Sequence, residues 1–327
     1  PLCYNARSAM PPAGSVVIVT FNSARHIELC LRSVAVPGWE RIVVDNASAD
    51  DTVELARGIP DTLVLANPKN RGFAAGVQQG IRAGWGELVL LLNPDVVAEP
   101  GAVAALAEAV KPDGVAAAAG RLLNPDGTTQ VGFGVRRFPT LAATLAEVLL
   151  LNRLFPRNPW NRRYHCLDFN YDRPATVEQP AGACLLVKRK AWESVGGFDE
   201  QFFPLWFEDV DFCRRLQANG WRIVYEPRAR FRHAGGHSLA GLELRERQLH
   251  WYCNLLRYFR KHHGLLPVAV LRLGILLGML LRIVATLLGV APEVVARRVG
   301  VGAYALVIRR CVLGKGMSLA ARSSAQE

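Results

Sequence analysis

Several motifs of well-understood chemistry are missing from this 327-residue chain. Its seven cysteines are scattered singly, without a CxxC pair or a Cys/His spacing typical of a metal site. This pattern indicates reduced thiols in the cytoplasm rather than a disulfide framework. No repeat of fixed period is present, and the first residues show no basic-then-apolar signal sequence, although Met10 is a candidate for the biological start.

Acidic residues are scarce in the last quarter of the chain. From residue 241 onward, thirteen Lys and Arg stand against four Asp and Glu, whereas the first 240 residues are nearly balanced. The basic residues are interleaved with long aliphatic runs, which favours an anionic membrane surface over nucleic acid as the partner. We therefore expect membrane contact and no nucleic acid, and the oligomeric state stays open.

Short apolar strands alternate with helices in the first hundred residues. The predicted strands are residues 15–20, 41–44, 63–66 and 88–92, and the predicted helices are residues 24–34, 52–57 and 73–83. This alternation predicts an α/β fold, a mostly parallel sheet with helices on both faces. Ligands of such sheets bind beyond the carboxyl ends of the strands. The polar residues that follow the strands should therefore converge on one crevice: Thr20, Asp45, Asn67, Asn93 and Asp95.

The second half of the chain predicts a helix over residues 140–155, a strand within 179–187, a helix over 208–219 and a strand over 221–225. Residues 265–290 are strongly apolar but contain Arg272 and Arg282. Ten residues apart, these arginines should lie about 80° apart around a helix, and we do not expect a tidy amphipathic stripe. A central arginine costs about 2.5–3.5 kcal/mol on insertion, so we predict helices in or against the cytoplasmic leaflet, with a re-entrant hairpin possible. Packing on the catalytic domain or on a second subunit is the alternative.

This organisation divides the chain into three parts. Residues 1–13 form an N-terminal extension, residues 14–240 form the α/β domain, and residues 241–327 form a basic, apolar helical tail. The tail predicts a location on the cytoplasmic face of the inner (plasma) membrane.

The first polar cluster follows the first two strands. VVIVTFN ends in Thr20, Phe21 and Asn22, and VVDNASADDT places Asp45 at the next strand end. A carboxylate there can accept the N3–H of a uracil or thymine ring. Taken alone, Asp45 is more typical of a helix or turn cap.

The next two clusters fit a diphosphate and a metal ion. Asn70, Arg71 and Gly72 precede a helix whose N-terminus attracts phosphate, and Arg71 can pair with it. This segment lacks the GK[ST] of a Walker loop and the GxGxxG spacing, and a helix start with a solvated arginine is the simpler explanation. In LLLNPDV, Asn93 and Asp95 follow a strand as a reduced DxD motif, whose oxygens suit Mg²⁺ or Mn²⁺. A lone NPD is more often a turn.

The densest cluster is FEDVDFCRR, followed by His233. Glu208, Asp209 and Asp211 crowd within four residues, which requires a nearby cation or raises a pKa, and such a carboxylate suits a general base. The structural alternative is that the acids favour the helix dipole and are neutralised by the arginines that follow. A lone histidine is likewise more often structural than a ligand.

The motifs VTFN, DNASADDT, NRGFAAG, NPDV, GACLLV, GGFDE and FEDVDFCRR occur in the order and spacing of family 2 glycosyltransferases. Over residues 15–238 the chain resembles that family, and its bacterial rhamnosyltransferase-like branch most of all. The resemblance implies the GT-A fold, an inverting transfer and a nucleotide-sugar donor carrying dTDP or UDP.

The site roles below are implied by this resemblance. Thr20, Phe21 and Asp45 would hold the nucleoside, Asp95 would bind Mg²⁺ or Mn²⁺, and His233 would be a further ligand. Asp209 would be the catalytic base, and Glu208 and Asp211 would shape the acceptor site. The remaining donor residues proposed from the clusters are Asn22, Asn70, Arg71, Gly72, Asn93 and Arg215.

The tail and the aliphatic segment at residues 141–155 predict a lipid-linked acceptor, such as a polyprenyl-diphosphate sugar. A nucleotide-sugar pyrophosphorylase would need a glycine-rich loop after the first strand, and VTFNSARH contains none. A degenerate transferase acting as a membrane-bound scaffold would have lost the FEDVD acids, which are all present. A transferase that uses a UDP-sugar remains an alternative to the dTDP-rhamnose enzyme.

Overall fold

The computed structural model describes residues 12–235, 243–290 and 297–314. Most of the expected N-terminal extension, the residues that follow Gly235 and two parts of the tail (291–296 and 315–327) therefore lie outside the described residues. Within these ranges the chain forms a nine-stranded sheet with helices on both faces, a two-stranded sheet and a group of C-terminal helices.

The first half of the chain follows the predicted α/β order. The strands β1 (Gly14–Thr20), β2 (Trp39–Asp45), β3 (Thr62–Ala66) and β4 (Leu88–Leu92) are parallel neighbours in the order β3-β2-β1-β4. The helices between them are α1 (Ile27–Ser33), α2 (Thr52–Arg57) and α3 (Phe73–Ala83). The carboxyl ends of β1, β2 and β4 therefore meet at one edge of the sheet.

The second half adds antiparallel strands and makes the sheet mixed. It contains β5 (Val96–Ala98), α4 (Ala102–Ala109), β6 (Val115–Leu123), β7 (Val135–Arg136), α5 (Leu141–Val148), α6 (Leu151–Leu154), α7 (Pro159–Tyr164), β8 (Ala175–Val177), β9 (Gln179–Pro180), β10 (Cys184–Lys188), α8 (Arg189–Ser194), α9 (Glu208–Ala218) and β11 (Arg222–His233). Strand β10 lies antiparallel between β4 and β6. Its first residue, Cys184, pairs with Leu92, so the loop before β10 reaches the edge where β1, β2 and β4 end.

Two elements differ from their predicted bounds. The predicted helix over 140–155 is wrong as one unit, because Leu150 has a φ of +63° and separates α5 from α6. The closing strand runs eight residues beyond Tyr225, to His233, with an irregularity between Glu226 and Arg230. The longer strand carries His233 to the edge of the sheet where it pairs with Val96.

Two apolar clusters cover the two faces of the sheet. One packs α1, α2 and α4 on one face, and the other packs α3, α8 and α9 on the opposite face. Helix α3 approaches the sheet closely at Gly80, where an added Cβ would lie 2.4 Å from a methyl carbon of Val17. A larger residue there would push α3 away from β1.

The C-terminal helices share a third apolar cluster with the α/β part. They are α10 (Leu244–His262), α11 (Leu265–Leu287), α12 (Arg297–Val307) and a π-helical turn at Ile308–Val312. Their buried side chains pack with Val148, Phe202, Phe207 and Val210. The predicted alternative, packing of the tail on the catalytic part, is therefore present in the structure.

Helix α11 exposes one aliphatic face. Its exposed side chains recur every three or four residues: Leu266, Val270, Leu273, Leu277, Leu280, Leu281, Val284, Leu287 and Leu288. Arg282 is buried on the opposite side and Arg272 is half-buried, so the expectation that the two arginines break the stripe is wrong. Among the described residues, α11 is the one helix long and apolar enough to cross a bilayer by length and composition, a test that core helices also pass.

Candidate active site

A large cleft of about 1690 Å³ opens at the edge where β1 and β4 end. Most of the predicted site residues line it: Thr20, Phe21, Asn22, Asn70, Asn93, Asp95, Glu208, Asp209 and His233. The backbone amide of Asn93 donates to the carbonyl of Ala183, which ties the end of β4 to the loop before β10. The convergence predicted from the strand ends is therefore observed for Thr20, Asn93 and Asp95, whereas Asn67 does not line the cleft.

Asp45 lies behind the surface of the cleft. It is 1% exposed, and its Oδ1 accepts from the hydroxyl of Thr20 at 2.8 Å and from that of Ser48. Its Oδ2 accepts from the backbone amide of Ser48 at 2.9 Å. The side chain that lines the cleft after β2 is Asn46. Asp45 therefore orders the loops after β1 and β2, and direct contact with a base stays a prediction.

Phe21 and Asn22 form the rim at this end. The Phe21 ring is 43% exposed and lines the cleft, where it can stack on a planar base. Asn22 has a φ of +51°, and its side-chain carbonyl accepts from the amide of Ala49 at 2.8 Å. These contacts fix the conformation of the loop after β1 at the rim of the cleft.

Arg71 and Gly72 do not line the cleft, and their roles in donor binding stay predictions. Arg71 is exposed, and its guanidinium lies 3.5 Å from Gln79 on the outer side of α3. Gly72 has a φ of +84°, and a Cβ there would lie 2.8 Å from the ring of Phe203. Its glycine is required by backbone conformation and packing. From this motif, Asn70 and Phe73 line the cleft.

Asp95 and His233 form a buried pair at the edge of the sheet. The Nε2 of His233 lies 3.6 Å from Oδ2 of Asp95, and Oδ1 of Asp95 is buried without a hydrogen-bond partner among the described residues. Burial lowers the pKa of His233, although the charge of Asp95 raises it, so the imidazole is neutral at neutral pH. The 3.6 Å approach is therefore not an ion pair.

Gln130 clamps His233 at two points. Its Oε1 lies 2.9 Å from Nδ1 of His233, and its Nε2 donates to the backbone carbonyl of His233 at 2.9 Å. This places the imidazole proton on Nδ1 and leaves the Nε2 lone pair facing Asp95. Phe133 stacks on the ring at a centroid distance of 5.2 Å.

The Asp95–His233 pair fits a divalent cation. An orphaned carboxylate oxygen and an imidazole nitrogen with a fixed tautomer are both ligand types that such ions take. No group of three or more metal-ligating side chains occurs within the part of the chain that the structure describes. The protein would thus supply two ligands, and a substrate diphosphate and water would supply the others, as is common for Mg²⁺.

Glu208 and Asp209 begin α9 at the cleft, and their environments differ. Burial and the charge of Asp209 hold the pKa of Glu208 well above its usual range, and its Oε2 has no partner among the described residues. Burial also raises the pKa of Asp209, but amides of Gly182 (3.0 Å) and Val210 (2.8 Å) donate to its two oxygens and oppose that rise. The charged form is therefore favoured more at Asp209, which accepts two amide hydrogen bonds, than at Glu208.

Asp211 and Arg215 do not line the cleft, and their roles in the site stay predictions. Asp211 is fully buried and contacts Arg215 (2.8 Å), Lys261 (2.9 Å) and His262 (2.7 Å). The guanidinium of Arg215 also donates to the carbonyls of Val195 and Gly197. For these two residues the structural alternative, neutralisation of the acids by following arginines, describes the contacts.

Several polar residues of the cleft were not identified by the motifs, among them Gln130, Arg136 and Tyr164. Arg136 hydrogen-bonds Tyr164 and the carbonyl of Gly132, and its charge lowers the pKa of Asp209. These residues lie in segments of ordinary composition between the motifs. Their place beside Asp209 depends on the fold, and nothing in the local sequence signals it.

This combination of a mixed α/β sheet, a strand-end cleft and paired acids defines a GT-A type sugar-transferring enzyme. Residues 15–193 match the model for glycosyl transferase family 2, and residues 162–314 match that for glycosyl transferase family group 2. The chain belongs to glycosyl transferase family 2, and the predicted family and class of enzyme are confirmed.

Two curated relatives are rhamnosyltransferases. The N-acetylglucosaminyl-diphospho-decaprenol L-rhamnosyltransferase of Mycobacterium tuberculosis is 34% identical over 245 residues, which is 68% of this chain and 76% of the relative. Rhamnosyltransferase WbbL of Escherichia coli K12 is 26% identical over 159 residues, which is 48% of this chain and 56% of the relative.

Two solved structures share the fold. Mannosyltransferase PcManGT from Pyrobaculum calidifontis, in complex with GDP-Man and Mn²⁺, has a TM-score of 0.52 and 18% identity over 94% of this chain and 77% of its own. GalNAc-T7 with UDP, GalNAc and Mn²⁺ has a TM-score of 0.54 and 16% identity over 77% of this chain and 48% of its own. The predicted GT-A fold is confirmed.

Proposed function

We propose that this protein transfers L-rhamnose from dTDP-rhamnose to a lipid-linked N-acetylglucosamine during assembly of a cell-envelope glycan. The main supporting observation is that the carboxylate of Asp209 lines the same cleft as the strand-end residues Thr20 to Asn22 and the Asp95–His233 pair. The 34% identity to a rhamnosyltransferase whose name specifies a diphospho-decaprenol acceptor supports both the sugar and the lipid.

The proposed reaction is a single in-line displacement that inverts the anomeric centre. Asp209 accepts the proton of the acceptor hydroxyl while that oxygen bonds to the anomeric carbon. The bond from this carbon to the diphosphate breaks at the same time, and the nucleoside diphosphate leaves with the electron pair. The amides of Gly182 and Val210 fix the orientation of the Asp209 carboxylate, so the base is in place before the acceptor arrives.

We further propose that Asp95 and His233 hold Mg²⁺ or Mn²⁺ at the donor diphosphate. A divalent ion there would neutralise charge that develops on the leaving group. The neutral His233 and the orphaned oxygen of Asp95 favour this role over a salt bridge. Asn93 lines the cleft beside them and can orient a water or a phosphate oxygen.

Replacing Gln130 with alanine should weaken the metal site without removing a ligand. Loss of an outer hydrogen bond to a metal-binding histidine typically costs about 10- to 100-fold in metal affinity or activity. The Mn²⁺ concentration for half-maximal transfer should therefore rise, and saturating Mn²⁺ should restore much of the rate. Gln79→Ala, on the outer side of α3, is the control. An unchanged Mn²⁺ dependence in Gln130→Ala would show that the clamp does not act on a metal.

The tail would hold the cleft at the cytoplasmic surface of the plasma membrane. The aliphatic face of α11 is continuous over the length of the helix, and the opposite face packs on α5 and α10. A helix buried on one side and aliphatic on the other fits an in-plane position at the lipid interface. The basic excess of the tail adds attraction to anionic lipid.

The test is release of nucleoside diphosphate by the full chain in lipid nanodiscs. dTDP-rhamnose, UDP-sugars and GDP-sugars are offered with Mg²⁺ or Mn²⁺, with polyprenyl-diphosphate-GlcNAc as the acceptor. Release from dTDP-rhamnose that requires the acceptor and stops with EDTA is the expected result. Transfer from a UDP-sugar alone would replace the proposed donor. Nucleotide binding without transfer from any donor would point to a different acceptor, and the absence of both binding and transfer would favour the scaffold.

A further inference from the structure

The cleft continues beyond Asp209 to the junction between the α/β part and the tail. There it is lined by residues of α5 and the segment that follows it, and by residues of α10 and α11. They are Glu147, Leu150, Asn152, Arg153, Arg247, Trp251 and Arg282. We call this part the junction subsite. The set holds three arginines and one glutamate, so it is positively charged.

Arg282 is the buried arginine of the junction subsite. It is 9% exposed, and no carboxylate of the described residues lies within 4.0 Å of its guanidinium. Its Nη1 donates to the carbonyls of Val148 (2.6 Å) and Gly278 (3.1 Å). A guanidinium carries five N–H donors, and burying its charge without an anionic partner is unfavourable. The Arg282 side chain is therefore positioned to bind an anion that enters the cleft.

The helix packing fixes Arg282 in this position. An added Cβ at Gly278 would lie 2.1 Å from the carbonyl oxygen of Val148, so α11 and the end of α5 touch backbone to backbone. One turn earlier, an added Cβ at Gly274 would lie 2.4 Å from a methyl carbon of Leu145. Arg282 follows Gly278 by one turn and reaches the same carbonyl of Val148. The arginine is thus held at the cleft by packing that tolerates no larger residue at Gly278.

Arg136, Tyr164 and Glu147 line the same cleft as Asp209 and Arg282. Burial raises the pKa of Tyr164, Arg136 lowers it through its charge and a hydrogen bond, and the charges of Glu147 and Asp209 raise it further. Tyr164 is therefore within electrostatic range of both carboxylates. Glu147 immediately precedes Val148, the residue that Arg282 contacts. An acceptor whose hydroxyl is at Asp209 would extend toward Arg282.

The exit from the junction subsite is aliphatic. Arg282 belongs to α11, whose other face carries the exposed stripe from Leu266 to Leu288. Arg153, exposed after α5, lies beside Leu154, which is 69% exposed. An anionic group held by Arg153 would have the exposed Leu154 next to it. A hydrocarbon chain attached to that group would therefore leave past Leu154, and α11 supplies further apolar surface on its other face.

We propose that the junction subsite binds the diphosphate of a lipid-linked acceptor, with Arg282 and Arg153 contacting its phosphates and the lipid leaving past Leu154. Arg–phosphate contacts of this kind are bidentate and charge-assisted. The inference rests on the proposed function and adds where the acceptor is held and by which chemical group. It separates two diphosphate sites: the donor's at Asp95 and the acceptor's at the tail.

The test compares three N-acetylglucosamine acceptors that differ in their link to the lipid: a diphosphate, a monophosphate and a phosphate-free glycoside. Full-length chain in neutral phosphatidylcholine nanodiscs is assayed with dTDP-rhamnose. Because hydrogen bonds to charged groups are strong, Arg153→Gln and Arg282→Gln should each raise KM for the diphosphate acceptor about 10- to 100-fold. KM for the donor and for the phosphate-free acceptor should stay unchanged.

Two matched variants serve as controls. Arg157→Gln removes a positive charge four residues from Arg153, and Arg272→Gln removes one from α11; neither side chain lines the cleft. Equal KM effects in these controls would overturn the subsite. A rise in the donor KM, or an equal loss with the phosphate-free acceptor, would also overturn it. Arg153→Gln keeps the test valid if Arg282→Gln fails to fold.

A binding measurement separates this proposal from the proposed function. Binding of undecaprenyl diphosphate, which carries no sugar, is measured in the same nanodiscs with and without phosphatidylglycerol. Weaker binding in Arg153→Gln and Arg282→Gln, with no dependence on phosphatidylglycerol, supports the subsite even if rhamnose is not the sugar transferred. Binding that follows phosphatidylglycerol content instead would assign these arginines to lipid headgroups and overturn the proposal.

Discussion

Changing Asp209 to asparagine should stop sugar transfer while leaving the protein folded and able to bind nucleotide. A positioned general base contributes about 10²- to 10⁴-fold to rate, so kcat should fall by that factor. Asparagine is nearly isosteric and its carbonyl can still accept from the amide of Gly182, which preserves local structure. The measurement is rhamnose transfer at saturating donor and acceptor, together with the Kd for dTDP.

The pH dependence of kcat/KM tests the role of Asp209 as the base independently. Burial raises the pKa of Asp209 above its ordinary value, so the base becomes protonated at a higher pH than an exposed aspartate would. The acid limb of kcat/KM should therefore lie above pH 3.8 and be absent from the residual activity of Asp209→Asn. Glu208→Gln should show a smaller loss, because burial and the charge of Asp209 raise the pKa of Glu208 and already favour its neutral form.

Asp199→Asn is the control for the loss of a carboxylate outside the cleft. Asp199 pairs with Lys261 at 2.6 Å and does not line the cleft, so its replacement should leave kcat within a few-fold of wild type. If Asp209→Asn retained wild-type kcat with an unchanged acid limb, another group would be the base. If it lost nucleotide binding as well, the defect would be structural.

Local chemistry made the first half of the fold predictable. Helices α2 and α3 have the bounds that the sequence predicted, residues 52–57 and 73–83. Asp50 accepts from the amide and hydroxyl of Thr52, and Gly72 has the positive φ at the start of α3, so both helix starts are set by neighbouring residues. Parallel strands bring their ends to one edge, which placed Thr20, Asn93 and Asp95 together.

Contacts between distant residues were not predictable in the same way. Gln130 and His233 are 103 residues apart, and Arg282 reaches Val148 across 134 residues. Arg215 and Asp211 share a motif with Asp209, but their partners lie in the loop after α8 and in α10. Sequence spacing identifies which acids are close along α9, whereas the direction each faces is decided by the elements packed against it.

Asp209 and Asp211 belong to one motif but face different parts of the structure. Asp209 precedes it by two residues and lines the cleft, whereas Asp211 faces the tail and meets three basic side chains. Lys261 and His262 both belong to the end of α10. The helix that carries the proposed base is therefore joined to the tail by an ion cluster, so the tail contributes to the fold of the α/β part.

Asp211→Asn should destabilise the protein strongly and leave the chemistry of folded molecules intact. Removing one partner of a buried charge cluster costs about 3–5 kcal/mol, since Arg215, Lys261 and His262 would be left near each other without the carboxylate. The free energy of unfolding should fall by about that amount in denaturant titrations at pH 7. Asp199→Asn, which removes a more exposed partner of Lys261, should cost about 1 kcal/mol or less.

The pH dependence of stability should distinguish this cluster from loss of packing alone. Contacts with His262, Arg215 and Lys261 outweigh burial and lower the pKa of Asp211 in the folded protein. Its contribution to stability is therefore fully present above the unfolded pKa of about 3.8 and is lost as the pH falls through the lower folded value. The stability difference between wild type and Asp211→Asn should accordingly shrink below about pH 4. A difference of equal size from pH 7 to pH 3 would mean that the aspartate stabilises α9 by shape, and not by the charge it presents to the tail.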